Sequence, residues 1–483
     1  MVRLRPGSDA MYSVRIAGAL AIAALVMGAC SPRGASPVAI ATTAPPLSAS
    51  ANQAPAAQLP DASAGGNAAW PMYHRDPAHR GVGPSTPVLS AVQPDWAASL
   101  DGEVYAEPLV VGSMVVALSE HDTVYALDIN SGALMWSQHL GEPVPLSSLP
   151  CGNIDPSGLT ATPVADPQSD TLYVVGRFLP THHDLVALEL STGNVRFRRT
   201  VDPPDADPRY LQERGAIALA NGRVYIPFGG NIGDCGPYRG WVMGAAADGS
   251  GDLLAYGVPT AREAAIWAPS GIAVDSDGTL LVATGNGASR SEFDFANAVI
   301  RLSPDLQVLD YWAPADWAAL SRTDTDIGSI GPALLDNDQV FQTGKNGTGY
   351  LLRASQLGGI GGELAQARIC SASFGGTAYE APFIYVPCTD GLVALTIANG
   401  SFSIAWRLQD GNLSAPIVAY GSVWTIDTRN SELLQLDPAS GAMGGRYSLN
   451  GPIEAHFVTP TAASGLIIAP AGHAIIAFGG NGG

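Results

Sequence analysis

From Val104 to Phe478 one pattern keeps returning: a short apolar strand, a turn, a second strand, a polar turn, "ALD" or an equivalent, then Gly and an aromatic residue. It is clearest in "VYAEPLVVGSMVVALSEHDTVYALDINSGALMW" (Val104–Trp136) and "LTATPVADPQSDTLYVVGRFLPTHHDLVALELSTGNVRF" (Leu159–Phe197). Eight such copies, at a period of roughly 35 to 60 residues, indicate a repeat architecture. Each copy reads as four short strands, and no single copy could cover both faces of its own sheet. Radial stacking of four-stranded antiparallel blades solves that problem and leaves only short edges. The eighth copy runs out near Phe478 after about three strands. The stretch "VQPDWAASL" (Val92–Leu100) before the first copy has the look of a spare outer strand with its Trp. It is expected to complete the last blade and close the ring. The expected fold is therefore all-β, an eight-bladed β-propeller; seven blades is the alternative if the third or eighth copy is irregular.

Composition agrees with a turn-dense β protein: 56 Gly and 37 Pro, with only 14% charged residues. A net charge of −19 without any basic stripe argues against a nucleic-acid partner. GxSxG and HExxH are absent, so serine-hydrolase and zincin chemistry has no support. "GKNGTGY" around Lys345 does not satisfy the phosphate-loop pattern. "DSDG" (Asp275–Gly278) sits between two strands and reads as a hairpin turn. His182-His183-Asp184 is assigned to an inter-strand loop with no partner motif.

At the N-terminus, Arg15 precedes an apolar run, Ile16–Met27, that ends in "MGAC" at Cys30. A basic start, a short apolar core and small residues describe a signal peptide over residues 1–29. The run is too short for a comfortable membrane span. It resembles a bacterial lipoprotein signal, with Cys30 lipidated and the protein extracytoplasmic; plain secretory cleavage near Ala29 is the other reading. Residues 30–69 are Ala, Pro, Ser and Thr with almost no charge, and read as a disordered tether; residues 70–483 form the propeller. Beyond Cys30 an even set remains: Cys151, Cys235, Cys370 and Cys388. Of the three possible pairings, sequence proximity favours Cys370–Cys388 with Cys151–Cys235. Without a CxxCH motif, no covalently attached haem is expected.

The segments "VYALDINSGALMW" and "LVALELSTGNVRF" resemble the tryptophan-docking repeats of the PQQ (pyrroloquinoline quinone) propeller superfamily. That superfamily contains calcium-dependent quinoprotein alcohol dehydrogenases and also cofactor-free scaffolds such as the lipoprotein of the outer-membrane assembly machine. In the dehydrogenases an indole lies under the quinone about twenty residues before a "GTGN"-type segment whose Asn ligates Ca²⁺. The resemblance puts Trp267 in the first role and Asn286, nineteen residues later, in the second. It implies an acidic metal ligand from "GGNIGDCGPYRGW", with Asp234 near the corresponding place. It implies a catalytic Asp, also a metal ligand, in "RTDTDIGSIGP", which leaves Asp326 and Asp324 both open, and a basic quinone contact at Lys345. The adjacent cysteine pair of those enzymes is missing, since Cys151 stands alone in "LPCGNIDPSG".

Each of these residues also has an ordinary reading. Trp267 could dock blades, Asp324 and Asp326 could start a loop, and Lys345 could be a solvated turn residue. Asn286 lies in "TGNG", a hairpin signal, yet the next strand-like run begins only near Ala298. Asn286 therefore ends an inner strand at the mouth of a long loop. Two functions follow. The first is a lipid-anchored binding or scaffold protein, monomeric, with an envelope protein or glycan partner. The alternative is a PQQ- and Ca²⁺-dependent dehydrogenase of an alcohol or sugar.

Overall fold

The strand segments of each copy pair as antiparallel sheets in sequence order, as in Leu109–Val111, Met114–Ser119, Thr123–Asp128 and Leu134–His139 of the first blade. The computed structural model describes residues 69–453 and 458–482. Residues 1–29, Cys30 and the tether up to residue 68 lie outside the described residues. Eight sheets make an eight-bladed propeller, as the repeats predict. Two blades gain a short extra strand, Leu211–Gln212 in the third and Gly359–Ile360 in the fourth. Among the described residues there is one α-helix, Trp317–Thr323.

Burial follows the radial stacking. The second strand of the second blade, Thr171–Phe178, is buried along its whole length, because neighbouring blades cover both its faces. Outer strands such as Leu134–His139 and Val195–Thr200 alternate between exposed and half-buried positions, since their outer rim meets water. The ring closes as expected. Leu89–Ser99 pairs antiparallel with Ala474–Gly482, with Trp96 opposite Ala477.

At four blade interfaces an aromatic side chain on one outer strand lies over a glycine turn of the next blade. Trp96 donates through Nε1 to the Ile129 carbonyl at 2.8 Å, and a Cβ on Gly132 would lie 2.5 Å from its ring. Trp136 does the same to Leu190 (3.1 Å) over Gly193, and Trp406 to Pro438 (2.9 Å) over Gly441. Phe197 covers Gly249 without the polar tip. These glycines have φ between 66° and 77°, so both the turn and the contact exclude a side chain.

The segment after Ala69 is a strap that the repeat pattern does not show. Trp70 bridges Val110, Pro71 accepts from Ala165, Pro77 from Val274 and Arg80 from Tyr379, and Val82 bridges Val418. It thus ties the inner strands of five blades. Glu107 anchors it by accepting from Trp70 Nε1 (2.9 Å) and the His74 amide (2.8 Å). One expectation is corrected: His182 and His183 belong to the strand His182–Glu189, not to a loop. His183 is fully buried, with Nδ1 2.8 Å from Asp202, because an imidazole in a doubly covered strand must find a polar partner. Asp275–Gly278 is a tight turn joining two strands, and both disulfides pair as proximity suggested, Cys151–Cys235 and Cys370–Cys388.

Trp96→Ala should lower stability by about 2–4 kcal/mol in urea unfolding, because it removes both the dock and the closing contact. An unchanged midpoint would show that strand pairing alone closes the ring. Asp122, fully buried with neither carboxylate oxygen hydrogen-bonded, has its pKa pushed up to about 9 by burial and by Glu120. A carboxyl raised in this way destabilises the fold progressively as pH climbs from its unfolded value near ~4 towards the folded one. Asp122→Asn should therefore stabilise the protein by roughly 1–3 kcal/mol at pH 8, with the gain vanishing by pH ~4. A pH-independent difference between the two melting curves would contradict this.

Candidate functional site

In a four-stranded blade, the link between the second and third strands and the link leading into the next blade's first strand emerge on the same face. On that face the loops of successive blades surround a cavity of about 530 Å³. Trp267, Asn286, Asp234, Asp324, Asp326 and Lys345 all line it. Trp267 and Asp326 precede the inner strands of the fourth and fifth blades, while Asp234, Asn286 and Lys345 follow second strands.

The local sequence explains how these side chains are held. Asn286 leaves the strand Leu280–Ala283 through Thr284, whose buried hydroxyl donates to Phe295 O at 2.6 Å and accepts from the Ala298 amide at 2.9 Å. Gly285 keeps the next position clear, since a Cβ there would press on Trp267 Nε1 at 3.0 Å and Asp326 Oδ1 at 3.3 Å. Asp326 is fixed by its own loop: its carbonyl accepts from Lys345 N (2.8 Å) and its Oδ1 from Gly328 N (3.0 Å). Asp234 has φ 49° between Gly233 and the disulfide-bonded Cys235. Tyr238 donates to its carboxylate and Arg262 to its carbonyl (2.7 Å). The Cys151–Cys235 bridge does not pull Asp234 out of the cavity.

The two aspartates left open by the sequence have different settings. Asp326 is 1% exposed, accepts from Trp267 Nε1 at 3.2 Å and pairs with Lys345 Nζ at 2.7 Å. Asp324 sits at the helix C-terminus with its side chain 72% exposed. Its Oδ1 accepts from both Lys345 Nζ (2.7 Å) and Asn286 Nδ2 (2.7 Å). Asp324 therefore orients its neighbours: with the Asn286 amide nitrogen held outward, Oδ1 is buried and has no hydrogen-bond partner. A buried, unpartnered amide oxygen beside carboxylates is a donor suited to a hard cation.

Burial raises the Asp326 pKa, although Lys345 opposes the shift, so this carboxylate is a stronger base than an exposed one. Burial works against the Lys345 ammonium, but Asp326 and Asp324 outweigh it and raise its pKa. Lys345 Nζ also lies 5.2 Å from the Trp267 ring centroid, within cation–π reach. The arrangement offers a flat aromatic face, an oxygen-donor set and a buried base held against an ammonium. Arg214, Tyr238, Asn231 and Phe374 share the cavity and were not found by motif comparison. Arg214 and Phe374 precede inner strands, as Trp267 and Asp326 do, and that position is the signal that could have found them.

Residues 93–230 match the family model described as outer membrane protein assembly factor BamB. A polyvinylalcohol dehydrogenase from a Sphingopyxis strain is 23% identical over 235 residues, covering 44% of this chain. That match spans only 33% of the relative's own length. The quinohemoprotein alcohol dehydrogenase structure from Pseudomonas putida HK5 aligns with a TM-score of 0.67 at 13% identity, covering 86% of this chain and 81% of that one. A europium-containing methanol dehydrogenase aligns at 0.65 and 13% identity over 83% and 89% of the two chains. BamB from Moraxella catarrhalis aligns at 0.55 and 15% identity over 81% and 98%. The chain thus has the PQQ-type propeller fold, as its repeats suggest.

Removing Lys345 would leave Asp326 buried without its counter-charge. Lys345→Met should cost about 2–4 kcal/mol at pH 7, and Asp326→Asn added to it should recover most of the loss. Additive losses in a double-mutant cycle would show that the pair is not coupled.

Proposed function

We propose that this cavity binds pyrroloquinoline quinone with a hard metal cation and that the protein oxidises an alcohol. The observation that carries the reading is that Trp267, Asn286, Asp234, Asp326 and Lys345, drawn from separate loops, line one cavity in which the Asn286 Oδ1 lacks a partner. Trp267 offers the ring face for a planar ligand, and Asn286, Asp326 and Asp234 offer oxygens for the cation. Lys345 provides a donor at the same face. When bound, the quinone supplies the electron acceptor that converts an alcohol to a carbonyl compound. Asp326, made more basic by burial, takes the proton from the substrate hydroxyl. Asp324 acts by holding Lys345 and the Asn286 amide. The relative named for polyvinyl alcohol favours a secondary alcohol as substrate.

A second reading, a non-catalytic scaffold of the cell envelope, is favoured by the BamB match over residues 93–230. The residues that carry the first reading, Asp234 to Lys345, all lie beyond that segment. Either way we place the protein outside the cytoplasm, lipid-anchored at Cys30, where its two disulfides would persist. Among the described residues no helix is long and apolar enough to cross a membrane.

Titration of the purified protein with the quinone in the presence of Ca²⁺ or Eu³⁺, followed by dye-linked oxidation of polyvinyl alcohol and short secondary alcohols, tests the reading. Metal-dependent binding at micromolar quinone is expected, with Asp326→Asn abolishing turnover even at metal and quinone concentrations that saturate the variant. Asn286→Ala should weaken metal affinity by about tenfold or more. No quinone binding with either ion would leave the scaffold reading.

A further inference from the structure

A second, smaller cavity opens on the same face of the ring, away from the residues of the central site. It measures about 40 Å³, room for a hydroxyl and the carbon that carries it rather than for a whole ligand. Glu103 reaches it from the segment leading into the first blade, and Glu120 from the link between that blade's second and third strands. His473 reaches it from the matching link of the eighth blade. One loop divides the two spaces: Asn153 lines the central cavity, and Ile154, next in the chain, lines the smaller one. That loop is fixed by the Cys151–Cys235 bridge and by Asp155, whose Oδ1 accepts from the Leu146 amide at 2.9 Å.

Glu120 is the buried member of the set, 1% exposed. Its Oε2 accepts from the Gly158 amide at 2.6 Å, while Oε1 has no hydrogen-bond partner. An oriented carboxyl with one buried, unpartnered oxygen on a cavity wall calls for a polar ligand. Burial raises its pKa to about 7, so near neutrality it can accept or donate. At the rim, His473 Nε2 lies 3.1 Å from Glu103 Oε1, with side chains 58% and 30% exposed. Such a surface pair is worth little and can open for a ligand. The set is not a cation cage: among these described residues no three bring metal-ligating atoms within 4.8 Å of one another. It suits a hydroxyl, which donates to a carboxylate and accepts from an imidazole N–H at once. Ile154 and Pro156 add apolar surface for the carbons beside that hydroxyl.

We infer that the small cavity is a remote subsite, built on Glu120, Glu103 and His473, for a hydroxyl of a long polyol chain that also enters the central cavity. This rests on the alcohol-oxidation reading of the central cavity and adds to it the substrate class, a hydroxyl-bearing chain rather than a small alcohol. Dye-linked kinetics with polyvinyl alcohol and with isopropanol test it, in Glu120→Ala and in the rim variant Glu103→Ala/His473→Ala. Each variant should raise KM for the polymer by about tenfold or more with kcat unchanged, and leave both constants for isopropanol within about twofold. Calorimetric titration of the quinone-free protein with polyvinyl alcohol reads the subsite without turnover, and the variants should weaken that binding by a similar factor. Equal polymer KM in parent and variants would overturn the inference and leave the oxidation reading intact. So would a parent that oxidises isopropanol but not the polymer. Equal losses for the two alcohols would overturn it too, since they would mean a general disturbance of this face. Polymer binding that the variants weaken, in a protein that oxidises neither alcohol, would uphold the subsite and sink the oxidation reading. With neither binding nor turnover, both fall. Should Glu120→Ala fail to melt cooperatively, the rim variant, whose side chains are partly exposed, carries the same comparison.

Discussion

The contact on which the rest of the propeller depends is an indole laid over a glycine. Trp96, Trp136 and Trp406 each bridge from an outer strand to the turn of the following blade, burying apolar ring area while the Nε1 proton satisfies a turn carbonyl. The dock works only because Gly132, Gly193 and Gly441 present no side chain and adopt positive φ. At these interfaces, and where Phe197 covers Gly249, one aromatic and one glycine set the spacing between sheets. Inner strands can then be buried on both faces with few polar groups to satisfy.

A scaffold fixed at its rim gives its loops little freedom near the axis. Asp326 is tied through its own main chain to Lys345, and Gly285 leaves Trp267 and Asp326 room that a Cβ would crowd. The site is preorganised by short contacts between loops of neighbouring blades. The Cys151–Cys235 bridge adds a covalent tie between the loop carrying Asp234 and the link between the first two blades. The strap from Trp70 to Val82 binds inner strands from within the ring, so the blades are held at both radii.

Much of this was legible in the sequence because repetition displays it. Eight copies with a recurring Gly and aromatic announce the docks, and the missing strand at the end has its counterpart in "VQPDWAASL". The spacing of Trp267, Asn286 and the two aspartates was also readable, since loop lengths between blades carry it. The difference between Asp324 and Asp326 was not: two residues apart, one is buried and the other lies at a helix end, and only the fold separates them. Arg214 was missed because a buried arginine has no motif, and the strap because it occurs once and follows no period. The His182-His183 pair misled for a physical reason, since polar residues inside a strand look like a loop until the Asp202 partner is seen across the blade.

The closing strand has a consequence for the order in which the protein is assembled. Leu89–Ser99 leaves the ribosome among the first folded segments, yet its hydrogen-bonding partner, Ala474–Gly482, is made last. Its Trp96 docks on the first blade, which is complete soon afterwards, so the strand can be parked at its final address with one edge open. That open edge waits through the synthesis of seven further repeats. Ring closure therefore joins a strand that precedes the first repeat to one in the eighth, so this pairing spans almost the whole propeller in sequence.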